Sequence, residues 1–305
     1  MNTSGAASPA TNGHQGPTIA AVSMSHSPKM SADVDHREGL EFRAGVAQVV
    51  KAVAAYDPTL VVYFGPDHLR ALAGIAPCFT VVEQARGYGD WGTPEEDYDV
   101  PRDRAVELTH ALAGHGIDIA CADSLRLDHG FGQSTEELFG SLSAVPMVPI
   151  VINCVDRPIA TAARTAALGA AVGEWLRGHV GADERVLVVG SGGLSHTPPS
   201  LVPGARDLSE PQRQQLITDN IATAAEAINT DWDYRMLAML ASAHEDMAGL
   251  NPEDLAPGGG GGQEIRTWIA SAFACARPLQ TVAYQPVPEW ITGMGIAASK
   301  NLLGA

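Results

Sequence analysis

A short apolar segment that ends in a histidine-bearing loop is the feature that most constrains the fold of this chain. Val186 to Gly190 carry no charge, as is typical of a strand that is buried on both faces of a sheet. The chain then turns through Ser191-Gly192-Gly193 and reaches His196, which Pro198 and Pro199 follow closely. Because these prolines disfavour a helix, we expect the imidazole on a stiff loop beyond the carboxyl end of a strand. Open α/β sheets bind their ligands at this position.

The same glycine-rich turn is compatible with a plain strand exit or with a nucleotide-binding loop. Dinucleotide-binding loops open directly into a helix, keep a G-x-G-x-x-G spacing and have an acidic residue about 20 positions further on. Here Gly193-Leu194-Ser195 breaks that spacing, and the two prolines stand where the helix would begin. The sequence therefore disfavours a nucleotide site.

Four apolar runs in the chain each lead into a histidine. These runs and their histidines are Thr18–Met24 with His26, Thr59–Phe64 with His68, Ile117–Ala122 with His129, and Val186–Gly190 with His196. The chain has ten histidines, and the others fall in predicted helices or in the N-terminal tail. If the strands are parallel, their carboxyl ends share one edge of the sheet, and the four imidazoles converge there.

Helical periodicity between these runs predicts an α/β fold with a single domain over residues 18–305. The predicted helices cover 33–56, 101–115, 158–178 and 231–247, with further helices beginning near Ser209 and Gln263, and another buried strand covers 145–155. Residues 75–99 are predicted to be irregular, with a lid or entrance loop at 87–99, and the C-terminal tail shows no clear period. We expect a central, mostly parallel or mixed sheet flanked by helices, with the active site at the carboxyl ends of its strands.

Composition excludes several classes of function. The 305 residues are 45% hydrophobic, which allows a sizeable core, and the net charge of −16 argues against a nucleic-acid or anionic-membrane partner. No apolar run reaches the roughly 18 residues of a membrane span, and we find no signal peptide.

The four cysteines form no C-x-x-C pair and are predicted to be reduced, buried thiols of a cytoplasmic protein. Residues 1–17 are small, polar and rich in glycine and proline, and we expect a disordered tail.

Clustered imidazoles suit a divalent first-row metal. The chain has no C-x-x-C and no H-E-x-x-H, so a zinc finger or a zincin is disfavoured. Two histidines with one carboxylate form the facial triad of non-haem Fe(II) sites, and the other two histidines could then act as acid and base near neutral pH. A metal-dependent hydrolase and a non-catalytic metal-binding protein are the alternatives.

Five motifs, in this order, resemble those of the class III extradiol ring-cleaving dioxygenases. They are S-H-S-P at 25–28, G-P-D-H at 65–68, D-H-G-F at 128–131, G-S-G-G-L-S-H-x-P-P at 190–199 and E-I-x-T-W at 264–268. The similarity runs from about Ala20 to Ser299, and P-E-W-I-x-G-x-G at 288–295 also belongs to it. No single motif is specific, but the ordered set is.

The resemblance implies a role for each of five residues. His26, His68 and Glu264 would be ligands of Fe²⁺. His196 would be the base that takes a catechol proton, and His129 would be an acid beside bound oxygen or substrate. The implied reaction cleaves a substituted catechol beside its hydroxyls with O₂, and the substituent is expected to carry a carboxylate. The product would be a yellow oxo-dienoate, and the enzyme would be a homo-oligomer.

Two features depart from the family pattern. Five consecutive glycines, 258–262, precede Glu264, and we expect the backbone there to be mobile. Lys29 follows S-H-S-P at a position where family members carry an apolar residue. We expect its side chain to point into water; contact with an anionic substituent of the substrate is the alternative.

Overall fold

The structure is a computed structural model that describes residues 16–72, 74–155, 157–201 and 208–304. Of the predicted N-terminal tail, residues 1–15 lie outside these ranges. Within the described part of the chain, no helix is long and apolar enough to cross a membrane.

A mixed sheet of eight strands forms the centre of the fold. Its strands are β1 (Thr18–Met24), β2 (Leu60–Gly65), β3 (Phe79–Val82), β5 (Ala120–Ala122), β7 (Met147–Ile152), β8 (Arg185–Ser191), β9 (Leu279–Val287) and β10 (Thr292–Ser299), and a separate parallel ribbon contains β4 (Ala85–Gly87) and β6 (Leu125–Leu127). The spatial order is β5-β3-β7-β2-β8-β1-β10-β9. The four central strands, β7, β2, β8 and β1, run parallel to one another, which confirms the predicted α/β architecture.

Helices cover both faces of this sheet. They are α1 (Pro28–Ala32), α2 (Leu40–Tyr56), α3 (Arg102–Gly114), α4 (His129–Phe139), α5 (Ala162–His179), α6 (Glu210–Glu226), α7 (Thr230–Ser242), α8 (Pro252–Leu255), α9 (Ile265–Cys275) and α10 (Lys300–Leu303). Helices α3, α5, α7 and α9 contribute to the apolar core on one face, and α2, α4 and α10 to the core on the other.

The central strands are largely apolar because both of their faces are covered. Val62 of β2 and Val188 of β8 belong to the core on one face, whereas Val61 and Leu187 belong to the core on the other. Successive side chains of a strand point to opposite faces, so a strand between two layers of helices is apolar throughout. This explains why the strand runs were recognisable in the sequence.

Helices α5 and α9 approach each other closely through two glycines. A methyl group at Gly169 or Gly173 would overlap the backbone carbonyls of Ala270 and Ala274. Since Glu264 directly precedes α9, this packing helps to fix the predicted third metal ligand relative to the sheet.

Several predicted elements differ from the structure. Strand β5 was expected to end at the same sheet edge as β1, but it pairs in parallel with β3, which is antiparallel to β7. Its carboxyl end therefore lies at the opposite edge, and the strand that directly precedes His129 is β6. The region 75–99, predicted to be irregular, contains β3 and β4. The C-terminal tail, 286–303, for which no clear period was found, contains the end of β9, all of β10 and α10, and β10 pairs antiparallel with β9.

The helix predicted for 33–56 begins only at Leu40, because Gly39 has a left-handed φ of 63°. Helix α4 was not predicted, since its first turns follow the D-H-G-F motif and contain two glycines. The helix predicted for 231–247 ends at Ser242 and is followed by a 3₁₀ segment, His244–Gly249.

Candidate active site and metal centre

His26 and His68 meet beyond the carboxyl ends of β1 and β2. Their Nε2 atoms are 3.5 Å apart. The Nδ1 atom of His26 is hydrogen-bonded to Ser191 Oγ at 2.9 Å, and His68 Nδ1 lies 3.3 Å from both carboxylate oxygens of Asp128. Because a carboxylate only accepts hydrogen bonds, Asp128 holds a proton on His68 Nδ1, and Nε2 is the ring nitrogen that faces His26.

Glu264 brings a carboxylate to the same place from far along the chain. It is the last residue of a 3₁₀ turn, Gly261–Glu264, that leads into α9, so it stands just before the helix in whose first turn we predicted it. Its Oε1 lies 3.1 Å from His68 Nε2, and its Oε2 lies 3.8 Å from His26 Nε2. The backbone N–H of Gly193 donates to Oε2 at 2.7 Å, which orients the carboxylate.

His129 is the first residue of α4 and lies against His68. The two rings stack with their centroids 4.2 Å apart. Asp90 accepts from the backbone N–H of His129 at 2.9 Å and lies 2.7 Å from its Nδ1. One ligand atom from each of His26, His68 and His129 lies within 4.8 Å of the others.

His196 completes the group from the loop after β8. Its Nδ1 lies 2.8 Å from the carbonyl oxygen of Leu194. Since a carbonyl only accepts, this nitrogen carries a proton, and Nε2 is the ring nitrogen that can accept one as a base. Nε2 lies 3.7 Å from Glu264 Oε1.

Burial and mutual charge set the protonation states of this group. Burial alone would raise the pKa of Glu264, but the neighbouring His196, His68 and His26 hold that pKa well below its usual value. Burial lowers the pKa of His26 to about 3, which keeps this ring neutral at physiological pH. Burial also opposes a charge on His68, yet Asp128 and Glu264 more than offset it, and the pKa of His68 is raised.

The donor set fits a divalent metal ion. Two imidazole nitrogens and one carboxylate face one another. Because Nδ1 of His26 and Nδ1 of His68 are already hydrogen-bonded, the Nε2 atoms of these two histidines are the ones that would bind the metal. A second carboxylate behind a ligating histidine, as Asp128 stands behind His68, is the usual arrangement at metal sites. His129 is close enough to replace Glu264 in an alternative ligand set.

Comparison with known proteins assigns the family. The model of the family described as the catalytic LigB subunit of aromatic ring-opening dioxygenase matches residues 20–295. The chain belongs to the LigB family. It is therefore a ring-cleaving dioxygenase, as the ordered motifs predicted.

LigB-family relatives cover almost the whole chain. A protein of Mycolicibacterium paratuberculosis is 35% identical over 92% of this chain and 99% of its own length, and a Rhodococcus protein is 34% identical over 92% and 98%. A protein of Photorhabdus laumondii is 33% identical over 93% and 98%. All three are named 2,3-dihydroxyphenylpropionate/2,3-dihydroxicinnamic acid 1,2-dioxygenase. An uncharacterized Escherichia coli K12 protein of known structure covers 92% of the chain at 14% identity, with a TM-score of 0.47, and adds nothing to this assignment.

The LigB-family site opens into a cleft of about 1050 Å³, including its open mouth. All four histidines line this cleft, together with the predicted lid and the prolines that follow His196. Lys29 is half-buried and lines this cleft, so the expectation that it points only into water is wrong. Trp91 of the predicted lid also lines it and is 45% exposed.

The glycine run before Glu264 surrounds His196. It forms hydrogen-bonded turns: the His196 N–H donates to Gly258 O, and the Gly261 N–H donates to His196 O, each at 3.0 Å. A methyl group at Gly261 would overlap the His196 ring, and one at Gly259 would overlap its backbone. These contacts do not support the prediction that this backbone is loose; they give a packing reason for the glycines.

Two carboxylates at the LigB-family site were not predicted. Asp90 holds His129, and its only sequence signal was its place in the glycine-rich lid segment. Asp233 of α7 is fully buried and accepts hydrogen bonds from the backbone N–H and the hydroxyl of Ser195, at 2.7 and 2.8 Å, and from Tyr284 Oη at 2.7 Å. It fixes the residue before His196, and nothing in the helical pattern of α7 distinguished it from a solvated aspartate.

The cysteine prediction holds in part. All four are free, and Cys154 and Cys275 are buried, but Cys121 is exposed and Cys78 is intermediate.

Proposed function

We propose that this enzyme uses Fe²⁺ to cleave the ring of a substituted catechol beside its hydroxyls. Both atoms of O₂ would enter the product, a yellow ring-opened oxo-dienoate. The preferred substrate would resemble 2,3-dihydroxyphenylpropionate, the compound in the names of the relatives. The observation that carries this proposal is the meeting of His26, His68 and Glu264 beside two further imidazoles.

Residues His26, His68 and Glu264 would hold the ferrous ion, as the family resemblance implies. When bound, this ion acidifies the catechol hydroxyls and supplies the redox chemistry that O₂ requires. The residues around it then bind, orient and transfer protons.

His196 would act as the general base. The Leu194 carbonyl holds the proton on Nδ1, so Nε2 can accept a proton from a substrate hydroxyl. Buried Asp233 keeps the adjacent Ser195 in place, which limits movement of the imidazole. Proton transfer by a positioned side chain contributes about 10²- to 10⁴-fold to a rate.

His129 would act as the acid. Asp90 accepts a hydrogen bond from Nδ1, so a proton on Nε2 is the one that would be given to the reacting oxygen. The carboxylate of Asp90 would also stabilise the imidazole ring while the ring carries both protons. This pairing of carboxylate and imidazole serves the same purpose in other acid–base sites.

A ferrous reconstitution experiment tests this proposal. The protein would be loaded anaerobically with Fe²⁺ and then given air and 3-(2,3-dihydroxyphenyl)propionate. We expect O₂ uptake together with a yellow product, and His196→Ala should retain iron and lose about 10²-fold or more of the rate. Absence of O₂ uptake with every member of a catechol panel would refute the proposal and favour the metal-dependent hydrolase or the non-catalytic alternative.

The assembly and location of the enzyme belong to the same proposal. We expect a homo-oligomer in the cytoplasm, with residues 18–305 as its catalytic domain. Light scattering coupled to size-exclusion chromatography measures the first expectation, and cell fractionation measures the second.

A further inference from the structure

The charge of the cleft is opposite to the charge of the chain. The chain has a net charge of −16 and only three lysines. Yet, among the described residues, the cleft is lined by two cationic side chains, Lys29 and Arg70, and by no aspartate or glutamate. A cationic wall on an acidic protein indicates a ligand that carries negative charge.

Of these two cationic side chains, Lys29 is the one without an ion-pair partner among the described residues. It is the second residue of α1 and stands three residues after His26, close to the metal centre along the chain. Its side chain is half-buried, and within the described ranges it makes no ion pair or side-chain hydrogen bond. A partly desolvated ammonium without a partner gains free energy from a bound anion.

Arg70, two residues after His68, is partly neutralised by its neighbours. Its Nε lies 3.9 Å from Asp90 Oδ2, and its guanidinium lies 5.5 Å from the centre of the Tyr88 ring. Asp90 also holds His129, so a change at Arg70 would disturb the proposed acid as well. Lys29 is therefore the clearer determinant of substrate charge.

The remainder of the wall is largely apolar. Leu69, Pro198, Leu201, Ile221 and Ile291 contribute to it. Such a surface accommodates an aromatic ring and a short carbon chain, while a few polar groups fix the orientation.

We propose that Lys29 binds the anionic end of the substrate's side chain, with Arg70 as a second, weaker contact. The substrate class is a catechol whose ring carries a short chain that ends in a carboxylate. This inference rests on the proposed function, and it assigns the specificity of that site to one residue. Lys29→Met should therefore discriminate between charged and neutral substrates, because it removes the charge and keeps an unbranched apolar side chain.

The kinetic test compares 3-(2,3-dihydroxyphenyl)propionate with its neutral amide. In the iron-loaded full chain, we expect Lys29→Met to raise KM for the acid by about 10- to 100-fold, the range for losing a charge-assisted hydrogen bond. KM for the amide and kcat for both should stay within a few-fold of the wild-type values, and Lys29→Arg should restore most of the preference for the acid. Lys51→Met, which removes an exposed charge from α2, is the matched control. Equal losses for acid and amide in Lys29→Met, or no loss for either, would overturn the inference.

A binding test separates this inference from the proposed reaction. Calorimetry under anaerobic conditions would measure binding of 3-phenylpropionate and of 3-phenylpropionamide, neither of which has ring hydroxyls to be cleaved. We expect the wild-type protein to prefer the acid by about 10-fold or more and Lys29→Met to lose that preference. A wild-type preference that depends on Lys29, in a protein that cleaves no catechol, would support the anion site and refute only the proposed function. No preference in the wild-type protein would overturn the anion site.

Discussion

At the scale of single residues, the position of the His196 ring depends on two neighbouring glycines, which leave room for it because they have no side chain. Gly193 and Gly261 both face this ring, and a Cβ atom at either position would overlap it. The ring is the far end of a side chain, so it would swing aside and lose its hydrogen bond to the Leu194 carbonyl, while the backbone stays in place. The base would then no longer point toward Glu264 and the cleft.

Substitution at the glycine run tests this dependence. We expect Gly261→Ala to fold and to bind iron normally but to lose about 10²-fold in kcat, because it displaces a general base. Gly260→Ala is the matched control, since its neighbourhood is open and its φ of −63° suits alanine. Steady-state O₂ uptake and iron content measure the two effects, and equal activity of both variants would show that the glycine does not position His196.

Substitution of the two aspartates that are hydrogen-bonded to His68 and His129 should affect different properties of the enzyme. Asp128 holds Nδ1 of His68, so Asp128→Asn should weaken metal binding by about 10- to 100-fold. Asp90 holds Nδ1 of His129, so Asp90→Asn should leave metal affinity nearly unchanged and reduce kcat by about 10-fold or more. Competition with a ferrous chelator gives the first quantity and turnover at saturating substrate gives the second. A loss of iron in Asp90→Asn that matches Asp128→Asn would contradict this division of roles.

At the scale of elements, the contact between α5 and α9 supports the segment that carries Glu264. Alanine at position 169 must displace the backbone carbonyl of Ala270, whereas alanine at position 178 of the same helix meets open space. We expect Gly169→Ala to lower the free energy of unfolding by about 1–3 kcal/mol through overpacking. Gly178→Ala should equal or exceed the wild type by up to about 1 kcal/mol, because alanine favours helix. Denaturant unfolding would measure both, and a neutral Gly169→Ala would show that the helices can separate without cost.

Elements with a strong local pattern were predictable, and those that depend on distant pairing were not. Strands β2 and β8 are apolar on both faces, so the sequence showed them within a residue or two of their ends. Strand β5 has only three residues, and its direction is set by its pairing with β3 rather than by its own sequence. Strand β9 contains glutamines and a proline at the sheet edge, so it had no clear period, and its partner β10 identifies it only in three dimensions.

At the scale of the whole molecule, the fold brings together segments that are far apart in the chain. His26 and Glu264 are separated by most of the chain, yet His26 Nε2 and Glu264 Oε2 are 3.8 Å apart. All four histidines meet at one site, as the sequence predicted. The parallel central strands explain this for His26, His68 and His196, whereas His129 reaches the site from β6 and α4. Spacing alone did not identify Glu264; the family resemblance did, and the structure places it beside the histidines.

The choice among the candidate metal ligands is the central claim, and iron content tests it most directly. Each variant would be loaded anaerobically with Fe²⁺, desalted and measured for bound iron per chain. We expect about one ion in the wild type, His129→Ala and His196→Ala, and little in His26→Ala, His68→Ala and Glu264→Gln. Retention of iron by Glu264→Gln together with its loss from His129→Ala would contradict the account and assign the metal to the three histidines His26, His68 and His129.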